Sequence, residues 1–154
     1  MFVLLTVLGV LIDQVTKIWV VNNLPYGQSI PLLGKFLSLN YIHNEGAAFS
    51  ILTGKVGILS IISIIVVIAV SVIWYKTPKD QKMWRFAYAL LVAGALGNCL
   101  DRLRLGYVVD FLRLPHWPVF NIADCLLVLS VIILCLLVFS DLLKERKASE
   151  KSHD

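Results

Sequence analysis

The run of residues 56–75 constrains the fold more than any other part of the sequence, because it contains no charged residue. As a helix, this run is long enough to cross roughly 30 Å of hydrocarbon. The whole chain has a mean hydropathy of +0.82, and only 16% of its residues are charged. A soluble domain with one core cannot bury so much apolar surface. We therefore predict an integral membrane protein.

Three further apolar segments are predicted to span the membrane, although polar residues interrupt each of them. The four predicted spans are residues 2–21, 56–75, 86–103 and 119–142. The predicted fold is therefore an all-α integral membrane protein with four transmembrane helices. Residues 1–143 form its single domain, and residues 144–154 form a polar, solvated tail.

The net charge of +4 does not indicate a nucleic-acid partner, because most cations fall in residues 76–85 and 144–151. Lysine and arginine concentrate on the cytoplasmic side of membrane proteins. This distribution predicts that both termini are cytoplasmic. The loops at about 22–55 and 104–118 would then lie on the outer side.

The outer region of about residues 23–55 has the pattern of a small sheet or hairpin on the membrane surface. Apolar and polar residues alternate over residues 34–42, with Leu37, Leu39 and Tyr41 on one side. The following segment, residues 43–49, is rich in small residues. It fits a site where another chain approaches closely, and it fits a tight turn equally well.

Ionisable residues within the spans are costly and are candidates for function. Asp13 and Lys17 have the favourable spacing of a helical ion pair. We expect them to neutralise each other near the outer end, with Lys17 extending to the interface. Asn98, Asp101 and Arg102 share one face of the third helix and fit a structural polar cluster.

Two aspartates, Asp110 and Asp124, lie on the two arms of one outer hairpin. Asp110 stands in a loop between Val109 and Phe111, which should desolvate its carboxyl and raise its pKa. Two close carboxylates share a proton and can serve as acid and base without a metal. The residue types alone leave open an acid–base enzyme, a small transporter or proton relay, and an accessory subunit.

Five motifs in order resemble the bacterial lipoprotein signal peptidases, also called signal peptidase II. They are Asp13–Gln14–Val15–Thr16–Lys17, Asn44–Glu45–Gly46–Ala47–Ala48–Phe49, Gly97–Asn98–Cys99–Leu100–Asp101–Arg102, Val108–Val109–Asp110–Phe111 and Phe120–Asn121–Ile122–Ala123–Asp124. Ala93 and Cys125 depart from the family pattern, where many members have glycine and serine. Neither departure removes a reacting group.

The resemblance implies an aspartic endopeptidase that cuts diacylglyceryl-modified prolipoproteins before the modified cysteine, with an outer β-cradle. Asp110 and Asp124 would be the catalytic pair. The residues implied to line the site are Asn44, Gly46, Asn98, Arg102 and Asn121, and those implied to support it are Asp13, Lys17 and Asp101. The expected location is the bacterial cytoplasmic membrane, with the active site near the outer face.

The expected partners are the prolipoprotein substrate and membrane lipid, and the chain is expected to act as a monomer. No cofactor and no metal are implied. Cys99, Cys125 and Cys135 are interpreted as buried thiols, although a bridge between Cys99 and Cys125 remains an alternative.

Overall fold

The computed structural model describes residues 2–46 and 54–151. Within these ranges, four helices are long and apolar enough to cross a membrane, and three strands form an antiparallel sheet. In chain order the elements are α1 (Phe2–Asn23), β1 (Ser29–Leu33), β2 (Leu37–Asn44), α2 (Val56–Lys76), α3 (Lys82–Leu105), β3 (Val108–Arg113) and α4 (Ile122–Lys151). The predicted class of four membrane helices with a small sheet is confirmed.

Helix α3 lies at the centre of the molecule and packs against α1, α2, α4 and β3. In the most apolar stretch of α3, 56% of the residues are buried, compared with 11% in the corresponding stretches of α2 and α4. The outward faces of the other helices expose leucine, isoleucine and valine, as expected of surfaces in contact with lipid. Asn98 and Asp101 of α3 are therefore enclosed by protein.

Glycines allow α3 to approach its neighbours closely. A Cβ atom on Gly94 would lie 2.5 Å from the carbonyl oxygen of Ala123 in α4. A Cβ atom on Gly97 would lie 2.6 Å from Oδ2 of Asp13 in α1. Ala93 is accommodated by Gly9 of α1, whose added Cβ would lie 2.8 Å from that of Ala93.

The sheet has the strand order β1-β2-β3 and joins the segment between α1 and α2 to the segment between α3 and α4. Ile42 of β2 is opposite Asp110 of β3, and Asn44 is opposite Val108. The segment around Asp110, predicted to be a loop, is therefore a strand. That prediction was wrong because the segment pairs with a distant strand, which local sequence does not show.

Strand β2 occupies Leu37–Asn44 rather than the predicted residues 34–42. It begins later because Gly34 has a φ of 54° and belongs to the turn after β1. Leu39 and Tyr41, which the alternation placed on one side of the strand, are both buried, although Asn40 from the other side is buried as well. Leu39 and Tyr41 belong to a core cluster with Val20 and Leu24 of the α1 end and Val109 and Phe111 of β3.

Helix α4 differs from the prediction at both ends. It begins at Ile122, because Phe120 pairs with Leu112 in an isolated bridge and holds the preceding residues extended. It continues to Lys151, so most of the predicted tail is helical and exposed. Residues 152–154, which include His153, lie outside the described part of the chain.

The three cysteines are free thiols, and the alternative of a disulfide does not hold. Cys99 is buried, as predicted. Cys125 and Cys135 are exposed, so the interpretation of these two as buried thiols was wrong. They lie on the outward side of α4, where a bilayer rather than protein would cover them.

Candidate active site

The backbone between β3 and α4 brings Asp110 and Asp124 into one site. The amides of Phe111 and Leu112 donate to the carbonyl of Phe120 at 3.0 and 2.7 Å, and the amide of Phe120 donates back to Leu112 at 2.9 Å. This bridge closes the hairpin directly beside both aspartates. The sequence prediction that they lie on two arms of one hairpin is consistent with this geometry.

Asn121 connects the two carboxylates. Its Nδ2 donates to Oδ1 of Asp110 at 2.6 Å, and its Oδ1 accepts from the backbone amide of Asp124 at 2.9 Å. The backbone amide of Asn121 in turn donates to Oδ2 of Asp124 at 3.2 Å. The side chain of Asn121 is fully buried behind the pair and does not line the cavity that the aspartates face. Its structural position therefore differs from the site-lining one implied by the resemblance.

A second amide contacts each aspartate. Nδ2 of Asn44, at the end of β2, donates to Oδ2 of Asp110 at 2.8 Å. Nδ2 of Asn98, on α3, donates to Oδ1 of Asp124 at 2.7 Å. Each carboxylate is thus held by two donors from different parts of the fold, which restricts its orientation.

Burial and the nearby charge of Asp124 raise the pKa of Asp110 to about 7. The hydrogen bonds from Asn44 and Asn121, and the charge of Lys17, act in the opposite direction. The prediction that Asp110 is desolvated, with a raised pKa, is confirmed. At neutral pH the site can therefore hold a proton that an ordinary aspartate would have lost.

The two aspartates face a cavity of about 660 Å³. Its lining combines polar groups with apolar side chains such as Val119, Leu127 and Val128. Its lining residues are Ile42, His43, Asn44, Glu45, Gly46, Asn98, Arg102, Val108, Asp110, Trp117, Pro118, Val119, Phe120, Asp124, Leu127 and Val128. Asn44, Gly46, Asn98 and Arg102 are thus at the cavity, as the resemblance implied.

Arg102 extends from α3 into this cavity and interacts electrostatically with both aspartates. Its Nη2 donates to the carbonyl of Gly46 at 3.3 Å. Its Nε is buried without a hydrogen-bond partner among the described residues. The rest of the small-residue segment, residues 47–49, lies outside the described part of the chain.

Asp13, Lys17 and Asp101 form a buried ion cluster below the site. Nζ of Lys17 lies 2.9 Å from Oδ2 of Asp13 and 2.9 Å from Oδ2 of Asp101. The predicted pair of Asp13 and Lys17 is confirmed. The expected extension of Lys17 to the interface was wrong, because Asp101 and Asn98 of α3 give its ammonium buried partners.

Sequence reasoning missed Gln14 and His43. Nε2 of Gln14 donates to Oδ1 of Asp101 at 2.9 Å, although only its place in the first motif pointed to it. His43 stacks on Tyr107 with ring centroids 3.7 Å apart, and its Nε2 is hydrogen-bonded to the Tyr41 hydroxyl at 2.8 Å. Burial lowers the pKa of His43. The two-residue spacing of Tyr41 and His43 on a strand was the available signal.

A family model described as signal peptidase (SPase) II matches residues 5–140. The chain belongs to the signal peptidase II family. It is 45% identical over 134 residues to the lipoprotein signal peptidase of Moorella thermoacetica, covering 87% of this chain and 89% of the relative. It is 37% identical over 153 residues to that of Clostridium acetobutylicum, covering 96% and 99%. The predicted family is confirmed, and with it the prediction of a peptidase.

Two solved structures share this fold over most of the chain. A bacterial membrane enzyme solved by the in meso method at 2.3 Å resolution matches with a TM-score of 0.88 and 37% identity. The match covers 91% of this chain and 88% of the other. A second such enzyme, at 1.9 Å resolution, matches with a TM-score of 0.84 and the same identity, covering 91% and 93%.

Proposed function

We propose that the chain is an aspartic endopeptidase of the bacterial cytoplasmic membrane that removes signal peptides from diacylglyceryl-modified prolipoproteins. Cleavage occurs before the lipid-modified cysteine. The observation that carries the proposal is the pair Asp110 and Asp124, bridged by Asn121 and facing one cavity. Membership of the signal peptidase II family supports the choice of a peptide substrate.

The reaction uses one proton shared by the two carboxyl groups. The ionised member takes a proton from water, which attacks the scissile carbonyl, while the protonated member donates a hydrogen bond to the carbonyl oxygen. The protonated member then helps to protonate the leaving amine. The raised pKa of Asp110 supports this scheme, because a shared proton must persist at neutral pH.

Arg102 and Asn98 have distinct tasks in this proposal. The guanidinium of Arg102, which interacts with both aspartates, stabilises the single negative charge of the pair. Asn98 orients the carboxylate of Asp124 through its 2.7 Å hydrogen bond. Both groups hold the pair in place before substrate arrives, so little reorganisation is needed during the reaction.

The cavity walls fit a substrate that enters from the bilayer. Val119, Leu127 and Val128 provide apolar surface, and Asn44 and Gly46 provide polar groups. A lipid-modified residue fits against the apolar surface, and the peptide backbone fits against the polar groups. This division favours a substrate with one lipid-anchored end.

The deciding experiment is cleavage of a diacylglyceryl-modified prolipoprotein by the purified protein in lipid. We expect Asp110→Asn and Asp124→Asn each to bind substrate but to lose roughly 10²- to 10⁴-fold in kcat, as expected for loss of a general acid or base. Asp80→Asn, on an exposed turn, is the matched control and should cleave normally. Folding of all variants is compared by thermal unfolding.

Two results would contradict the proposal. If both variants of the pair cleave at the wild-type rate, another group performs the chemistry. If the wild type does not cut a substrate that a proven signal peptidase II cuts under the same conditions, the proposed activity itself is wrong.

A further inference from the structure

The residues immediately before the two aspartates are held by the same type of contact. Val109 precedes Asp110, and its backbone amide donates to Oδ2 of Asp101 at 3.1 Å. Ala123 precedes Asp124, and its backbone amide donates to Oδ1 of Asp13 at 2.9 Å. Each of the two backbone segments is therefore fixed by a buried carboxylate from a membrane helix.

Lys17 joins these two carboxylates. Its ammonium lies 2.9 Å from each, and all three side chains are buried. Gly97 makes room for this arrangement, because a Cβ atom there would lie 2.6 Å from Oδ2 of Asp13. One cation therefore sets the distance between Asp13 and Asp101. Through these two carboxylates it also sets the distance between the two backbone segments.

Lys17 also acts on the aspartates through Asn98. Nζ of Lys17 donates to Oδ1 of Asn98 at 3.1 Å. An amide whose oxygen faces an ammonium must turn its NH2 group away, and Nδ2 of Asn98 is the atom that donates to Asp124. The ammonium thereby fixes which way this amide points.

We propose that Lys17 is a positioning residue for the reaction, holding Asp13 and Asp101 together so that Asp110 and Asp124 lie at their working separation. The inference rests on the proposed function, because it gives Lys17 this task only if these two aspartates react. Displacements of about 1 Å can cost an enzyme on the order of 10²-fold in rate, so a loosened bridge acts mainly on kcat.

Other buried hydrogen bonds between these helices do not lead to either aspartate of the site. Oγ1 of Thr6 donates to the carbonyl of Ala89 at 3.4 Å, and Oγ of Ser130 donates to the carbonyl of Ala87 at 2.8 Å. None of these residues adjoins an aspartate of the site. They provide controls for loss of a buried contact that only stabilises the helix bundle.

The test distinguishes loss of the contacts that Lys17 makes from a change in the net charge of the cluster. Lys17→Met removes the cation, whereas the double variant Lys17→Met/Asp101→Asn also removes one anion and restores the net charge of the wild-type cluster. We expect both to lose roughly 10- to 100-fold in kcat on the modified prolipoprotein, with KM changed by less than about twofold. Thr6→Val and Ser130→Ala should retain wild-type kcat.

The pH dependence provides a second readout. The charge of Lys17 lowers the pKa of Asp110, so the pH–rate profile of Lys17→Met should move to higher pH. In the double variant the profile should return toward wild type while kcat stays low. The groups that bear on this titration are Lys17 and Asp13 of α1, Asp101 and Arg102 of α3, and Asp124 of α4.

Recovery of wild-type kcat in the double variant would overturn the inference, because charge balance alone would then suffice. Equal losses in the two control variants would overturn it as well. If Lys17→Met fails to fold, the charge-balanced double variant decides. Failure of the wild type to cleave would refute the proposed function instead, so the two failures are distinguishable.

Discussion

At the scale of single residues, the chemistry of Asp110 results from opposing neighbours. Burial and the charge of Asp124 raise its pKa, whereas the hydrogen bond from Asn44 lowers it. The resulting pKa of about 7 makes Asp110 an acid that gains and loses its proton near neutral pH. A shared proton is then lost as the pH rises past this value, and cleavage should decline.

Replacing Asn44 tests this balance. In Asn44→Ala, loss of the 2.8 Å hydrogen bond should raise the pKa of Asp110 and move the alkaline decline of kcat to higher pH. Asn40→Ala, on the same strand but outside the cavity lining, is the matched control. An alkaline limb that stays in place in Asn44→Ala would show that Asp110 does not govern it.

The stability of the fold should respond to the same group. Because the pKa of folded Asp110 lies above its ordinary 3.8, the folded state holds more protons than the unfolded state between that pH and about 7. Ionised Asp110 therefore destabilises the fold as pH rises through this window. The Tm of Asp110→Asn relative to wild type should rise between pH 5 and pH 8 in thermal unfolding, and a difference that stays constant over this range would contradict the expectation.

At the scale of elements, the small residues of α3 decide how closely the helices pack. A side chain at Gly94 or Gly97 would meet the backbone of Ala123 or the carboxylate of Asp13. The polar cluster and the start of α4 both depend on this close approach. A substitution that disturbs the packing of α3 should therefore also disturb the geometry of the site.

Gly97→Ala should lower stability by about 1–3 kcal/mol through overpacking and should reduce cleavage as well. Gly57→Ala in α2 is the matched control, since nothing lies within 4 Å of its added Cβ. Because alanine favours helix, this control should unfold at or slightly above the wild-type temperature. Wild-type Tm and activity in Gly97→Ala would contradict the packing described for α3.

At the scale of the whole molecule, the buried charged side chains among the described residues lie toward the sheet end of the helix bundle. The buried residues of α2 are Leu59 and Ser60, neither of which is ionisable. A proton relay across the membrane needs groups that continue to the other end. This distribution favours a site at one surface over the transporter that the residue types left open.

The orientation in the membrane is a prediction that labelling can check. The basic residues between α2 and α3 place Lys79 on the cytoplasmic side and the sheet, with Lys35, on the outer side. In a background in which the three native cysteines are replaced, Lys79→Cys should react with an impermeant thiol reagent only in inverted vesicles. Lys35→Cys should react only in right-side-out vesicles, and the opposite pattern would refute this orientation.

Local patterns were sufficient for much of the protein. Apolar runs predicted four spans, and alternation predicted the buried face of β2, because both depend on residues close together in the chain. Four of the five motifs contain residues that line the cavity, and the first contributes to the ion cluster below it. The predicted helix ends were less accurate. The start of α4 was predicted too early, because the bridge between Phe120 and Leu112 holds the residues before Ile122 in an extended conformation.

By itself, the sequence determined the membrane class, the family and the candidate aspartates. Only the tertiary structure decided that Asp110 lies on a strand, that Asn121 stands behind the pair, and that Lys17 is buried between two carboxylates. The physical reason is that strand pairing and buried charge depend on partners far apart in sequence. A lysine without a buried partner extends to the interface, whereas Lys17 remains buried because its ammonium meets Asp101 of α3.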